Sequence, residues 1–110
     1  MKKTEAEIQN EIMVALSMAG HKVWRSNAGK VRTEHGGIVR LFPAGFPDLV
    51  GYRKSDGKFF VIEVKTPTGK LRKDQERFAK FAENQPILYG VARSPEQALE
   101  IVETGRKNRE

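Results

Sequence analysis

Two short apolar runs flank the turn signal Ser55-Asp56-Gly57, one reading Asp48-Leu49-Val50-Gly51-Tyr52 and the other Phe59-Phe60-Val61-Ile62-Glu63-Val64-Lys65. This pair constrains the fold more than any other stretch of the chain. Asp-Gly favours a two-residue hairpin loop between antiparallel strands. Such a loop sets Asp48 opposite Lys65 and Val50 opposite Glu63. Directly opposed residues share a face, and side chains alternate along each strand. Asp48, Glu63 and Lys65 are therefore expected on one face, with Leu49, Phe60, Ile62 and Val64 on the other, where they can enter a core. The two carboxylates then stand a diagonal step apart, roughly 7–8 Å between backbones. A four-residue loop keeps this parity, and a three-residue loop reverses it.

The flanking sequence supplies the remaining elements. Thr4 and Glu7 form a capping box that opens a helix running to about Ala19, ended by Gly20. Ile8, Ile12, Ala15, Leu16 and Ala19 make its apolar stripe, and Glu11 falls at the edge of that stripe between Met18 and Ala15. A glutamate there either snorkels to water or points along the core toward a site. His21 to Ser26 reads as a strand. The segment from Lys30 to Gly37 is polar and ends in glycine, so it reads as a loop or hairpin tip within a basic stretch covering about residues 27–37. Ile38 to Phe42 returns as a strand, and the prolines at 43 and 47 hold the residues before them out of helix, so that Asp48 begins an extended segment.

A second helix is expected from about Leu71 to Asn84, with Gln75 in the middle of its apolar face. A buried amide needs partners, so Gln75 bonds backbone in the core or reaches the carboxylate cluster. Ile87 to Ala92 is a fully apolar strand of the kind buried mid-sheet. Ser94-Pro95-Glu96-Gln97 then combines an N-cap, a proline at the first helical position and a box-closing glutamine, opening a last helix to about Thr104 before a charged tail from Arg106. The element order α-β-β-β-β-α-β-α makes residues 1–110 one α/β domain, a central mixed sheet flanked by helices.

Composition narrows the chemistry. The chain has no cysteine and only two histidines, so disulfides, thiolate metal sites and a cysteine nucleophile are excluded, and any metal would be held by oxygen. Twenty Lys and Arg against fourteen Asp and Glu give a net charge of +6, which suits a polyanionic partner. No apolar run approaches the roughly 18 residues of a membrane span, and the polar start at Lys2-Lys3-Thr4 is unlike a signal peptide. An intracellular, cytoplasmic protein is expected.

Asp48 and Glu63 offer oxygen ligands of the kind Mg²⁺ or Mn²⁺ prefers, and the Val64 carbonyl adds a third. Lys65 beside them can stabilise charge developing on a phosphate. The candidates for holding nucleic acid are Arg25, Asn27, Lys30, Arg32, Arg40, Lys70, Arg72 and Lys73. On the residues alone, an exposed salt bridge on a sheet face is the ordinary alternative.

The set also resembles a known family. Pro47-Asp48, followed after fourteen intervening residues by Glu63-Val64-Lys65, is similar to the PD-(D/E)xK signature of the restriction-endonuclease-like superfamily. The wider pattern resembles its VRR-NUC branch: Glu11, then Val23-Trp24-Arg25 with Asn27 and Gly29, Gly45-Phe46-Pro47-Asp48, Gly69, Gln75 and Val91-Ala92-Arg93-Ser94. The resemblance runs from about Thr4 to Val102, and it departs at Arg72, where many relatives place a serine. It implies a restriction-endonuclease-like core and phosphodiester hydrolysis with Mg²⁺ or Mn²⁺. Asp48, Glu63 and the Val64 carbonyl would be metal ligands supported by Glu11, Lys65 the catalytic lysine, and Gln75 a residue orienting Lys65 or the phosphate. It further implies action on branched DNA, such as four-way junctions, by a homodimer of phage or bacterial type. The competing expectation is a nucleic-acid-binding module that keeps the fold without catalysis.

Overall fold

The computed structural model describes residues 2–28, 30–40 and 42–106, and the side chains of residues 30–32, 39 and 40 fall outside that description. Helix α1 (Glu5–Met18) opens with the expected box: Thr4 Oγ1 accepts from the Glu7 N–H at 3.1 Å, and the Thr4 N–H donates to the Glu7 carboxylate at 2.8 Å. Strands β1 (Lys22–Arg25), β2 (Lys30–Arg32), β3 (Ile38–Arg40), β4 (Leu49–Tyr52) and β5 (Phe59–Val64) follow, then α2 (Lys73–Ala82), β6 (Leu88–Ala92) and α3 (Pro95–Thr104). None of the helices among the described residues is long and apolar enough to cross a membrane.

The main sheet has the order β1-β4-β5-β6, antiparallel except for the parallel pair β5–β6, so it is mixed, as expected. Five strands precede α2 where the sequence pattern gives four. The additional one, β2, pairs antiparallel with β3 in a separate ribbon, so that of the two expectations for the segment from Lys30, loop or hairpin tip, the hairpin tip is the one found. Its tip is closed by the Thr33 N–H on the Gly37 carbonyl at 2.8 Å and the Gly37 N–H on Thr33 Oγ1 at 2.9 Å. A three-residue strand with one apolar residue falls below the length at which alternation can be read.

The hairpin β4–β5 keeps the expected parity with a different register. Leu49 pairs with Ile62, Val50 with Val61 and Tyr52 with Phe59, which carries Asp48 opposite Glu63 instead of Lys65. The loop is longer than the two residues that Asp56-Gly57 suggests. Arg53 and Lys58 still bond across the hairpin, through the Arg53 N–H on the Lys58 carbonyl at 2.9 Å, leaving four residues in the turn with Gly57 at φ +75°. Asp56 fixes this wider turn by accepting from the Arg53 guanidinium at 2.7 and 2.9 Å and from the Lys58 N–H at 3.0 Å. A side chain held by both ends of the turn overrides the two-residue preference of the dipeptide.

Alternation then divides the sheet into two faces. Leu49, Phe60, Ile62 and Val64 pack against Ile8, Ile12 and Leu16 of α1 and Ala98, Ile101 and Val102 of α3. Each large aliphatic buried here contributes about 1.5–3 kcal/mol. On the other face Val61, Tyr89 and Val91 meet Ala82 of α2, with Phe78, Phe46, Val50 and Leu71 around them. Helix α2 is shorter than the expected 71–84. The Arg72 N–H is capped by Gln75 Oε1 at 2.9 Å, placing the start after Leu71, and tighter i to i+3 bonds from Asn84 and Gln85 end it after Ala82. In α3, Ser94 Oγ accepts from the Gln97 N–H at 3.2 Å as expected, but Gln97 Oε1 closes onto the Arg93 N–H at 2.7 Å, one residue before the cap.

Candidate active site

The face that α2 partly covers carries three rows of side chains. Lys22, Tyr52 and Phe59 form one, and Trp24, Val50 and Val61 the next. Extending the same register, Ser26, Asp48 and Glu63 form the third, and the Ser26 N–H bonded to the Asp48 carbonyl at 2.9 Å shows that β1 and β4 still run side by side there. Ser26 Oγ also donates to the Pro47 carbonyl at 2.6 Å. Gly45 sets the approach to this row. It sits at φ +92°, and a Cβ on it would stand 2.7 Å from the Asp74 carbonyl oxygen in the first turn of α2, so the chain reaches Asp48 pressed against that helix.

Asp48 and Glu63 are the charged members of the third row. Asp48 Oδ2 accepts from the Val64 N–H at 2.8 Å, which ties its carboxylate to the strand that bears Glu63. Glu63 lies on a central strand and is 1% exposed, and its Oε1 has no hydrogen-bond partner among the described residues. Burial, reinforced by a hydrogen bond to Asp48 and by the Asp48 charge, pushes the Glu63 carboxyl up to about 10, while Lys65 pulls the other way. Glu63 is thereby biased toward its protonated form. Two carboxylates this close cannot both ionise without a cation between them. Lys65, one further step along the same face, is itself 5% exposed.

A cavity of about 370 Å³ opens on this row, and Arg25, Asn27, Asp48, Arg72 and Gln75 all line it. Gln75 is 5% exposed and takes the first of the two expectations for a buried amide: its oxygen caps the Arg72 N–H, while the residue also lines the cavity that holds Asp48. Arg25 is steadied by Asn10 Oδ1 of α1. Lys70 and Lys73 are exposed next to this end of α2. The side chains of Lys30, Arg32 and Arg40 lie outside the described residues, as does Gly29.

Glu11 is not brought here. Its carboxylate pairs with Lys3 at 2.7 Å and lines a separate cavity of about 540 Å³ with Thr66, Arg93 and Glu96. On the helix wheel Glu11 and Gln9 lie on opposite flanks of the stripe made by Ile8, Ile12 and Leu16, and α1 is rolled so that the Gln9 flank meets the cavity. Glu5, one turn before Gln9, lines it too, and its charge adds to the upward push on Glu63. The i, i+4 pair Glu5 and Gln9 was the available signal in the sequence. Arg93 is a second residue with a clear part, donating from one nitrogen to the carbonyls of Thr66 and Gly69, both at 2.6 Å, and so fixing the turn that follows Lys65.

Among the described residues no three acidic or histidine side chains converge. Mg²⁺ is commonly held by one or two carboxylates, with water and substrate phosphate completing its shell. The buried Glu63 oxygen without a partner and the facing Asp48 carboxylate fit that requirement.

A solved structure described as a VRR_NUC domain superposes with a TM-score of 0.64 at 20% identity, covering 92% of this chain and 97% of that one, a likeness of fold. No curated protein matches. The family profile of the VRR-NUC domain matches residues 6–96, which includes every strand and the whole carboxylate pair. The chain therefore belongs to the VRR-NUC domain family, a PD-(D/E)xK nuclease-like family.

Proposed function

We propose that this chain is a Mg²⁺- or Mn²⁺-dependent DNA endonuclease that selects its substrate by structure, cutting four-way or similarly branched DNA as a homodimer. The observation that carries the reading is the Asp48–Glu63 pair, two facing carboxylates of which one is buried with an oxygen lacking a partner. A binding module has no use for so costly an arrangement.

Asp48, Glu63 and the Val64 carbonyl would hold the ion. When bound, such an ion supplies Lewis acidity toward a phosphoryl oxygen and lowers the pKa of a coordinated water. The Lys65 ammonium stands beside the pair to stabilise charge developing on the scissile phosphate. Gln75 has its oxygen committed to the helix cap, so its amide nitrogen is the end available to donate toward the phosphate beside Lys65. Arg25, Asn27 and Arg72, around the cavity mouth, bind flanking phosphates and set the register of the strand. A net charge of +6 favours the encounter. A branched junction offers two symmetry-related phosphates, which a two-fold dimer presents to two sites. Action on cellular DNA places the protein inside the cell, in the host cytoplasm for a phage-encoded chain.

Incubation with a labelled four-way junction, a blunt duplex and Mg²⁺ tests the reading. The junction is cut and the duplex spared, and Asp48→Ala or Glu63→Ala lowers the rate at least about a hundredfold. Equal cutting by the parent and both variants would falsify it, and sedimentation of the protein as a monomer at working concentration removes the dimer.

A further inference from the structure

The first two rows of the site's own sheet face hold an exposed aromatic surface that the carboxylate chemistry does not use. Trp24 is 54% exposed, Tyr52 43% and Phe59 45%. The Trp24 and Tyr52 rings lie 6.3 Å apart, inclined at 46°. Neither belongs to the apolar clusters on the two sides of the sheet, because the cluster under α2 reaches only as far as Val50 of β4 and leaves Trp24 and Tyr52 beyond it. The alternation of β1 accounts for their position: Val23 packs into the α1 side, so Trp24 must point to the α2 side, beyond the reach of that helix.

Three features favour a nucleobase as occupant. The surface is continuous with the site, since Trp24 stands one row, about 7 Å, from the Ser26–Asp48–Glu63 row on the same face. A cation stands beside it, since Lys22 is exposed in the Tyr52 row. Its outer edge opens on a depression of about 450 Å³ that runs round β1, lined by Trp24, Tyr52 and Lys22 on this face and by Ser17, Gly20 and Val23 toward the end of α1. An aromatic pair beside a phosphate-binding groove is the arrangement that stacks unpaired bases, and paired bases inside a duplex cannot reach it. A second copy of the chain is the competing occupant, since Trp and Tyr are enriched at protein interfaces, and the exposed Lys22 in the same row, a residue type depleted there, favours a polyanion instead.

We propose that Trp24 and Tyr52 form a stacking platform for an unpaired nucleobase next to the phosphate that is cut. The proposal rests on the nuclease reading for the position of that phosphate, and it names what the site selects: DNA with a displaced or unpaired base beside the scissile bond.

Trp24 is the sole tryptophan of the chain, so its fluorescence reports the contact directly. In EDTA, where no cutting occurs, full-length protein is titrated with single-stranded oligodeoxythymidylate and with a blunt duplex. Oligodeoxythymidylate is expected to quench the emission and the duplex to leave it nearly unchanged. Trp24→Ala should weaken binding of the single strand roughly ten- to a hundredfold, with Trp24→Phe recovering most of it and Tyr52→Ala weakening it in the same direction. A melting temperature equal to the parent's shows that each variant is folded. Unquenched emission together with unchanged affinity in Trp24→Ala overturns the proposal. So does conversion of a parental dimer to a monomer by Trp24→Ala without loss of DNA affinity, which assigns the face to a second copy. Metal-dependent cutting without quenching sinks the platform alone, whereas quenching by a protein that never cuts sinks the catalytic reading alone.

Discussion

Glu63 carries an energetic cost when ionised, which a bound cation would offset. A carboxyl with an ordinary value of 4.5 is held near 10 by burial first, then by its hydrogen bond to Asp48 and the Asp48 charge. Between those two values the unfolded chain has released this proton and the folded protein has kept it. The folded state binds more protons, so its stability falls as pH rises across that window. Glu63→Gln keeps the shape and removes the titration. In EDTA at pH 8 the variant should therefore melt well above the parent, by more than about 10 °C, and the gap should close near pH 4.5. Mn²⁺ should raise the melting temperature of the parent at pH 8 and leave the variant where it was. Equal melting of the two proteins across the whole pH range would show that Glu63 is solvated and the pair is not a buried site.

At the scale of elements, helix α1 decides which acid reaches the cavity. The apolar stripe of Ile8, Ile12 and Leu16 fixes which side of α1 is buried, and that was legible in the sequence. A stripe has two flanks, however, and nothing in the helix itself says which flank meets the sheet's carboxylate end. Glu11 on one flank and Gln9 on the other are indistinguishable until α3 and β1 fix the roll. The hairpin shows the same division. Parity follows from alternation, which is local, while the register depends on Asp56 bonding to Arg53 and Lys58, an interaction internal to the loop that the Asp-Gly signal does not contain. The N-terminal caps of α1 and α3 need only residues three apart, and both are legible in the sequence. If Glu5 supports the metal pair through the cavity it shares with Asp48, Glu5→Gln should lower Mg²⁺-dependent cleavage by about tenfold, and Glu11→Gln should lower it by less than about twofold. The reverse order in a side-by-side rate measurement would return the role to Glu11.

The whole molecule is a sheet with one face closed by α1 and α3 and the other only half closed by α2. The carboxylate pair sits at the border between covered and open halves, and the exposed cations Lys70 and Lys73 lie where α2 begins. A strand of DNA running from the open half across the pair would pass this end of α2. The chain's excess of positive charge then acts through counterions. Each phosphate neutralised releases its condensed ions, and the salt slope of affinity measures how many are engaged. With junction DNA in EDTA, the replacement of both Lys70 and Lys73 by alanine should reduce the slope of log affinity against log salt by about 1.8, at roughly 0.9 for each phosphate that is no longer neutralised on the duplex arms. The drop in affinity should be largest at low salt and should not depend on DNA sequence, since these lysines read backbone and not bases. An unchanged slope would place the DNA away from the start of α2, and the path across the sheet would then have to run from the open half toward the ribbon formed by β2 and β3 instead.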